Sequence, residues 1–131
     1  MTILKNILLV GAGSFVGGAL RYLVSLGLKY TGGFPWATFL VNLIGCLLIG
    51  LLWGLFSRFA NASQQLVLFL SVGFCGGFTT FSTFSKESLQ LIQSGNWWYF
   101  ALYITGSILL GILLVAAGYH LAKNRIFALE F

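Results

Sequence analysis

The sequence predicts an all-α integral membrane protein with four transmembrane helices, the third of them broken. Three observations carry this. Of 131 residues, 59% are hydrophobic and only 7% charged, against about a quarter charged in an ordinary soluble domain. The apolar residues gather into four segments, each long enough to cross a hydrocarbon core for which about 20 residues suffice. The 17 glycines lie mostly inside those segments, where they permit close helix packing. The net charge of +5 is scattered singly and forms no patch for a phosphate backbone. It reads as interfacial anchoring and topology, so lipid and not nucleic acid is the expected surround.

The first span runs from about Ile3 to Leu28. It is too long for a signal-peptide core and has no small-residue cleavage site ahead of a soluble domain. The spacing of Gly11, Gly13 and Gly17 superficially resembles a dinucleotide-binding fingerprint, but no βαβ pattern or downstream acid accompanies it. Gly13 and Gly17, four apart, instead make a small-residue helix face. Arg21 either snorkels to the headgroups or caps carbonyls inside a dimer interface.

A loop with Thr-Gly-Gly, Lys29 to Phe34, leads to the second span, about Pro35 to Phe59. Pro35 opens it, at a position where a missing N–H costs nothing. Thr38, Asn42 and Gly45 share one face. Asn42 is the one amide inside a span and away from its ends. It is costly in hydrocarbon, so it faces either a partner helix or a pore. Gly50 and Gly54 form a separate small-residue face.

After a polar connection with Arg58 and Asn61, the third span covers about Gln65 to Ile92 and contains Cys75-Gly-Gly-Phe-Thr-Thr-Phe-Ser-Thr-Phe-Ser85. Glycine costs about 1 kcal/mol relative to alanine in a helix interior, and Ser and Thr compete for backbone bonds, so unwinding is expected from Gly76 to Thr80. Carbonyls freed in a membrane interior need protein, water or an ion as partner, and a cation is one candidate. Beyond the break, Phe81 and Phe84 share a face, as do Ser82 and Ser85, beside a stripe of Thr79, Ser82, Thr83 and Lys86. Hydroxyls at Thr79, Thr80, Ser82, Thr83 and Ser85 exceed what interhelical hydrogen bonding requires and suggest a surface facing something other than hydrocarbon. The far end, with Lys86, Glu87, Ser88, Gln90 and Gln93, is expected to emerge into water.

Ser94-Gly-Asn makes a turn, with Trp97 and Trp98 at interface depth, and the fourth span runs from about Trp97 to Leu121. Tyr103 and Ser107 are four apart on it, and Gly106 and Gly111 allow close packing. The tail from Ala122 to Phe131 is expected to be partly disordered. Cys46 and Cys75 have no metal-ligand spacing and His120 stands alone, so the cysteines read as reduced packing residues and no His, Cys and carboxylate metal site is expected.

Four spans put both termini on one side, with Lys5, Arg58, Lys123 and Arg125, against Lys29 and, if they snorkel that way, Arg21 and Lys86 on the other. Orientation follows the excess of Lys and Arg, so a chain this balanced is expected to insert both ways up. Four spans are also too few to enclose a solvated route alone, which implies an oligomer.

The stretch from Gly73 to Ser85, with Gly-Ala-Leu-Arg21-Tyr on the first helix and Asn42-Leu-Ile-Gly45 on the second, closely resembles the Fluc (CrcB) fluoride channels along essentially the whole chain. The resemblance implies an antiparallel dual-topology homodimer in the bacterial inner membrane, with two pores that export fluoride passively, fluoride resistance as the outcome, and a structural Na+ at the centre. It implies that main-chain carbonyls of Gly76 and Thr79 hold the sodium, that Phe81, Phe84 and Asn42 belong to the pore, and that Ser82, Thr83, Ser85 and Ser107 form its polar lining. Thr38, Glu87 and Tyr103 would cluster at a pore mouth. Gly111 offers no side chain where some relatives continue the hydroxyl row.

The competing class is a small four-helix multidrug/proton exchanger, of similar size and charge balance. That mechanism needs a carboxylate buried mid-helix, whereas the first helix carries Arg21 and no acid, and Glu87 reads as a helix-end residue beside Lys86. A purely structural subunit would need no pore. An intramembrane hydrolase lacks a nucleophile with a base, so no enzyme is expected.

Overall fold

The computed structural model describes residues 2–59 and 61–125. Among them are α1 (Thr2–Gly27), α2 (Trp36–Arg58), α3 (Gln64–Val67), a π-helical segment Leu68–Cys75, α4 (Gly76–Phe78), α5 (Ser82–Gln93) and α6 (Trp97–Arg125), with no strand. From α3 to α5 the chain forms one interrupted span, Gln64–Gln93, so the described residues include four helices long and apolar enough to cross a membrane. Large apolar side chains such as Ile7, Leu8, Phe15, Trp53 and Leu113 stand on outer faces. Such faces suit lipid or a partner helix.

Two close-packed pairs build the molecule, and glycine sets the approach in both. In the first, α1 lies on the π-helical segment and α4: a Cβ at Gly13 would run into the Phe69 carbonyl, one at Gly17 into that of Phe74, and one at Gly77 would stand 2.6 Å from the carbonyl oxygen of Ser14. In the second, α2 lies on α6, with Gly50 against the Val115 carbonyl, Gly54 against that of Tyr119, and Gly118 with room for only 2.6 Å to the Leu47 oxygen. Helices this close gain dispersion contacts that lipid tails cannot match. Of the glycines expected to pack on the fourth span, Gly106 admits the Phe39 ring and Gly111 the Cys46 sulfur.

Turns complete the frame. α5 ends in a Schellman motif: the Asn96 N–H donates to Leu91 O at 2.9 Å and the Gly95 N–H to Ile92 O at 3.1 Å, with Gly95 at φ +77°. That left-handed residue is a glycine because a Cβ would clash with the backbone there. Pro35 lies one residue before α2, at φ −79° and ψ 76°, and the Trp36 N–H donates back to Phe34 O at 2.9 Å. This is an inverse γ-turn, and not the first residue of the helix.

Two further expectations need correction, and one element has no counterpart among the expectations. The helix does not unwind at Gly76; Gly76–Phe78 stays helical and the break falls at Thr79, Thr80 and Phe81, with Thr79 extended at ψ 161°. The reason is local: both the N–H and the hydroxyl of Thr79 donate to the Cys75 carbonyl, at 3.1 and 2.9 Å, and hold the preceding turn closed. The π-helical segment was not legible, because the run Leu-Phe-Leu-Ser-Val-Gly-Phe has the same apolar character wound either way. Finally, α6 continues past Leu121 to Arg125, while the rest of the expected disordered tail lies outside the described residues.

Candidate functional site

The break is held open by Asn42. Its Nδ2 donates to the Thr80 carbonyl at 3.0 Å, and its Oδ1 accepts the Thr80 N–H at 2.8 Å, so one side-chain amide takes both backbone groups of one residue. Gly45, one turn along α2, makes room for the break: a Cβ there would overlap Cγ2 of Thr79. Thr80 also fixes the start of α5, since its Oγ1 accepts the Thr83 N–H at 3.2 Å.

The consequence falls on two carbonyls. In a continuous helix the Gly76 oxygen would accept from Thr80 and the Thr79 oxygen from Thr83. Both donors are diverted, the first to Asn42 and the second to the Thr80 hydroxyl. The Gly77 carbonyl between them accepts from Arg21 Nε at 3.1 Å. Arg21 is half-buried and caps a carbonyl of its own chain.

Gly76 and Thr79 line a cavity of about 460 Å³ together with Asn42, Phe81, Phe84 and Ser107. Its walls mix rings and donors. Phe81 and Phe84 have centroids 6.0 Å apart at 40°, and Phe81 is 79% exposed, an apolar ring with nothing of its own chain over it. The hydroxyl oxygen of Ser107 is buried without a hydrogen-bond partner. Such a group costs on the order of 1–3 kcal/mol when it stays unpaired, a cost that a hydrogen-bond acceptor brought next to it would remove. Cys46 and Cys75 also border the cavity, as free thiols.

A second, smaller cavity of about 220 Å³ is lined by Arg21, Thr38, Thr80 and Thr83. Ser82 and Ser85 line neither cavity and stand exposed on α5. The structure therefore divides the expected site residues between two cavities, one outer face and a buried cluster that holds Glu87 and Tyr103. Lys86 is exposed on the same helix.

Glu87 departs from Lys86, Gln90 and Gln93 at this end, since they are exposed and it is not. It is 9% exposed, and Thr38 donates to its Oε1 at 2.6 Å while the fully buried Tyr103 donates to its Oε2 at 3.4 Å. Three elements, α2, α5 and α6, thus bring Thr38, Glu87 and Tyr103 together in the membrane-spanning part. Two hydroxyl donors answer the oxygens of a buried carboxylate, as a buried acid requires. The Tyr103 ring in turn sits 4.9 Å from that of Phe84, which joins this cluster to the wall of the larger cavity.

Two residues at the site were missed in the sequence. Thr80, counted above only among the hydroxyls of the break, was legible as a cap, because a hydroxyl three residues ahead of an N–H in a helix's first turn is a capping signal. Phe34 was not, since its place among the rings around Tyr103 depends on how a loop folds back over α6.

The description CrcB-like protein, Camphor Resistance (CrcB), belongs to a family whose model matches residues 8–119. The chain is 49% identical over 117 residues to the fluoride-specific ion channel FluC of Phocaeicola vulgatus, covering 88% of this chain and 96% of that one. It is 49% identical over 118 residues to a protein of the same description from Chlorobium phaeobacteroides, covering 89% and 92%, and 47% identical over 122 residues to one from Chlorobaculum tepidum, covering 92% and 97%. The match runs through all four spans, the amide-clasped break included, and the chain belongs to the CrcB family of membrane ion channels, which are not enzymes.

Proposed function

We propose that this chain forms a fluoride-selective channel that lets fluoride leave the bacterial cytoplasm down its gradient through the inner membrane, as an antiparallel dual-topology homodimer with two pores. The observation that carries this is the cavity walled by Phe81, Phe84 and Asn42, with the unpartnered Ser107 hydroxyl buried in its wall. A small, strongly hydrated anion needs close donors in place of water, in a space poorly matched to larger halides. Hydroxyl hydrogens and the positive edges of phenyl rings supply attraction without a fixed cation that would trap the ion. The exposed Phe81 ring and the nearly balanced basic residues support a second, inverted copy against the open side of the cavity.

The Gly76 and Thr79 carbonyls fit a structural sodium ion. Both have lost their helical donors, both border the cavity, and oxygen donors without net charge suit a hard monovalent cation. Two copies about a twofold axis would contribute the same pair each. Bound there, the ion would satisfy the orphan carbonyls and tie the two breaks together.

The buried Glu87 favours the exchanger reading more than the sequence did, since a carboxylate does lie inside a span. It does not line the larger cavity, and its oxygens are occupied by Thr38 and Tyr103. Purified protein in liposomes separates the two. Fluoride efflux without chloride efflux, independent of a proton gradient and reduced when sodium is replaced by a larger organic cation, is the expected result. Transport of organic cations coupled to protons, with no fluoride flux, would overturn the channel reading.

A further inference from the structure

The loop between α1 and α2 sends one ring into the site. Phe34 lies 5.5 Å from Tyr103 at 77°, 5.1 Å from Phe39 at 81°, 6.0 Å from Tyr99 at 80° and 4.7 Å from Trp36. Its neighbours come from the start of α2 and the first turns of α6, so this single side chain ties the two helices together beside Tyr103. Its backbone is fixed from the other side. Pro35 is buried with φ locked by its ring, and the γ-turn bond from Trp36 N–H to Phe34 O sets the angle at which Phe34 leaves α2.

Tyr103 needs such a brace. It is fully buried, yet its hydroxyl reaches Glu87 at 3.4 Å, the long end of a hydrogen bond, whereas the Thr38 hydroxyl donates to the same carboxylate at 2.6 Å. A small rotation of the ring would break that bond and leave one carboxylate oxygen without a partner. Phe84 holds the ring from the cavity side at 4.9 Å, and Phe34 holds it from the loop side. The Phe34 contact is edge-on, and such a contact prefers particular orientations, which bulk apolar packing does not.

We propose that Phe34 is a positioning residue for the Thr38–Glu87–Tyr103 cluster: the loop ring fixes the Tyr103 ring so that its hydroxyl stays on Glu87. Its effect on flux rests on the channel reading, while its effect on Tyr103 does not. Phe34→Leu keeps an apolar side chain and removes the ring, and fluoride flux in liposomes is expected to fall about 2- to 10-fold, the range set by the energy of an aromatic pair. Phe34→Tyr recovers most of that loss. In a Tyr103→Phe background, where no hydroxyl remains to be placed, Phe34→Leu adds no further loss, as coupling through one bond requires. An equal fractional loss in both backgrounds, or none in either, overturns the proposal. A second measurement needs no flux. With 3-fluorotyrosine incorporated, the fluorine lines lost in Tyr103→Phe are expected to average by ring flipping at a lower temperature in Phe34→Leu than in the otherwise unaltered protein, and the same line shape in both overturns the proposal. Should the protein carry no fluoride, the channel reading falls and the resonance alone decides the role of Phe34.

Discussion

Replacing Asn42 by alanine tests the logic of the break more sharply than any other change. The substitution removes two hydrogen bonds, of 3.0 and 2.8 Å, and leaves the N–H and C=O of Thr80 without partners in a half-buried place. An unsatisfied buried group costs about 1–3 kcal/mol, so the pair amounts to roughly 2–6 kcal/mol. Part is recovered, because the freed Thr80 N–H can turn back to the Gly76 carbonyl and continue the helix, regaining about 0.5–1.5 kcal/mol. The expected net loss is therefore roughly 1–5 kcal/mol, read as a lower thermal midpoint in detergent or liposomes. The repair itself harms function. It withdraws the Gly76 carbonyl from the cavity and shifts Phe81 and Phe84, which follow the break in sequence, and fluoride flux is expected to fall at least about tenfold, the equivalent of 1.4 kcal/mol. Sodium dependence is expected to weaken with it. A folded Asn42→Ala protein with an unchanged midpoint and unchanged flux would refute the reasoning, for it would show that the break stands without the amide.

Three further outcomes are expected. Gly45→Ala drives a methyl group into the Thr79 side chain and should cost about 1–3 kcal/mol of thermal stability; a midpoint equal to that of the unaltered protein would mean that Thr79 is free to move. Phe81→Ile and Phe84→Ile should each cut fluoride flux severely in protein that still folds and dimerises, because the ring edges are lost while apolar volume is kept; normal flux in both would remove the rings from the route. Two lysines added to one connecting loop should fix a single orientation and lower activity, with recovery when an oppositely biased copy is co-expressed; full activity from one fixed orientation would exclude the antiparallel dimer.

The sequence by itself determined a great deal here, because membrane burial reads directly from composition. Four apolar segments, the glycine faces of Gly13 and Gly17 and of Gly50 and Gly54, and the awkward run from Cys75 to Ser85 follow from the cost of polar groups in hydrocarbon and the size of side chains, both properties of residues and not of their arrangement. The motif residues that carried the family resemblance were visible for the same reason. What only the tertiary structure decided is where interactions between distant segments outweigh local preference. The glycine pair at 76 and 77 looks like the weak point of the third span, yet the break falls after it, because Thr79 closes the preceding turn and Asn42, on another helix, captures Thr80. Glu87 follows a lysine and precedes a polar stretch, so its local context reads as exposed; Thr38 and Tyr103 bury it from two other helices. Arg21 caps the Gly77 carbonyl because the close glycine contact of α1 with α4 brings that oxygen within its reach. Hydrogen bonds of this kind depend on which helices lie side by side, and a linear pattern of polar and apolar residues contains no such distances.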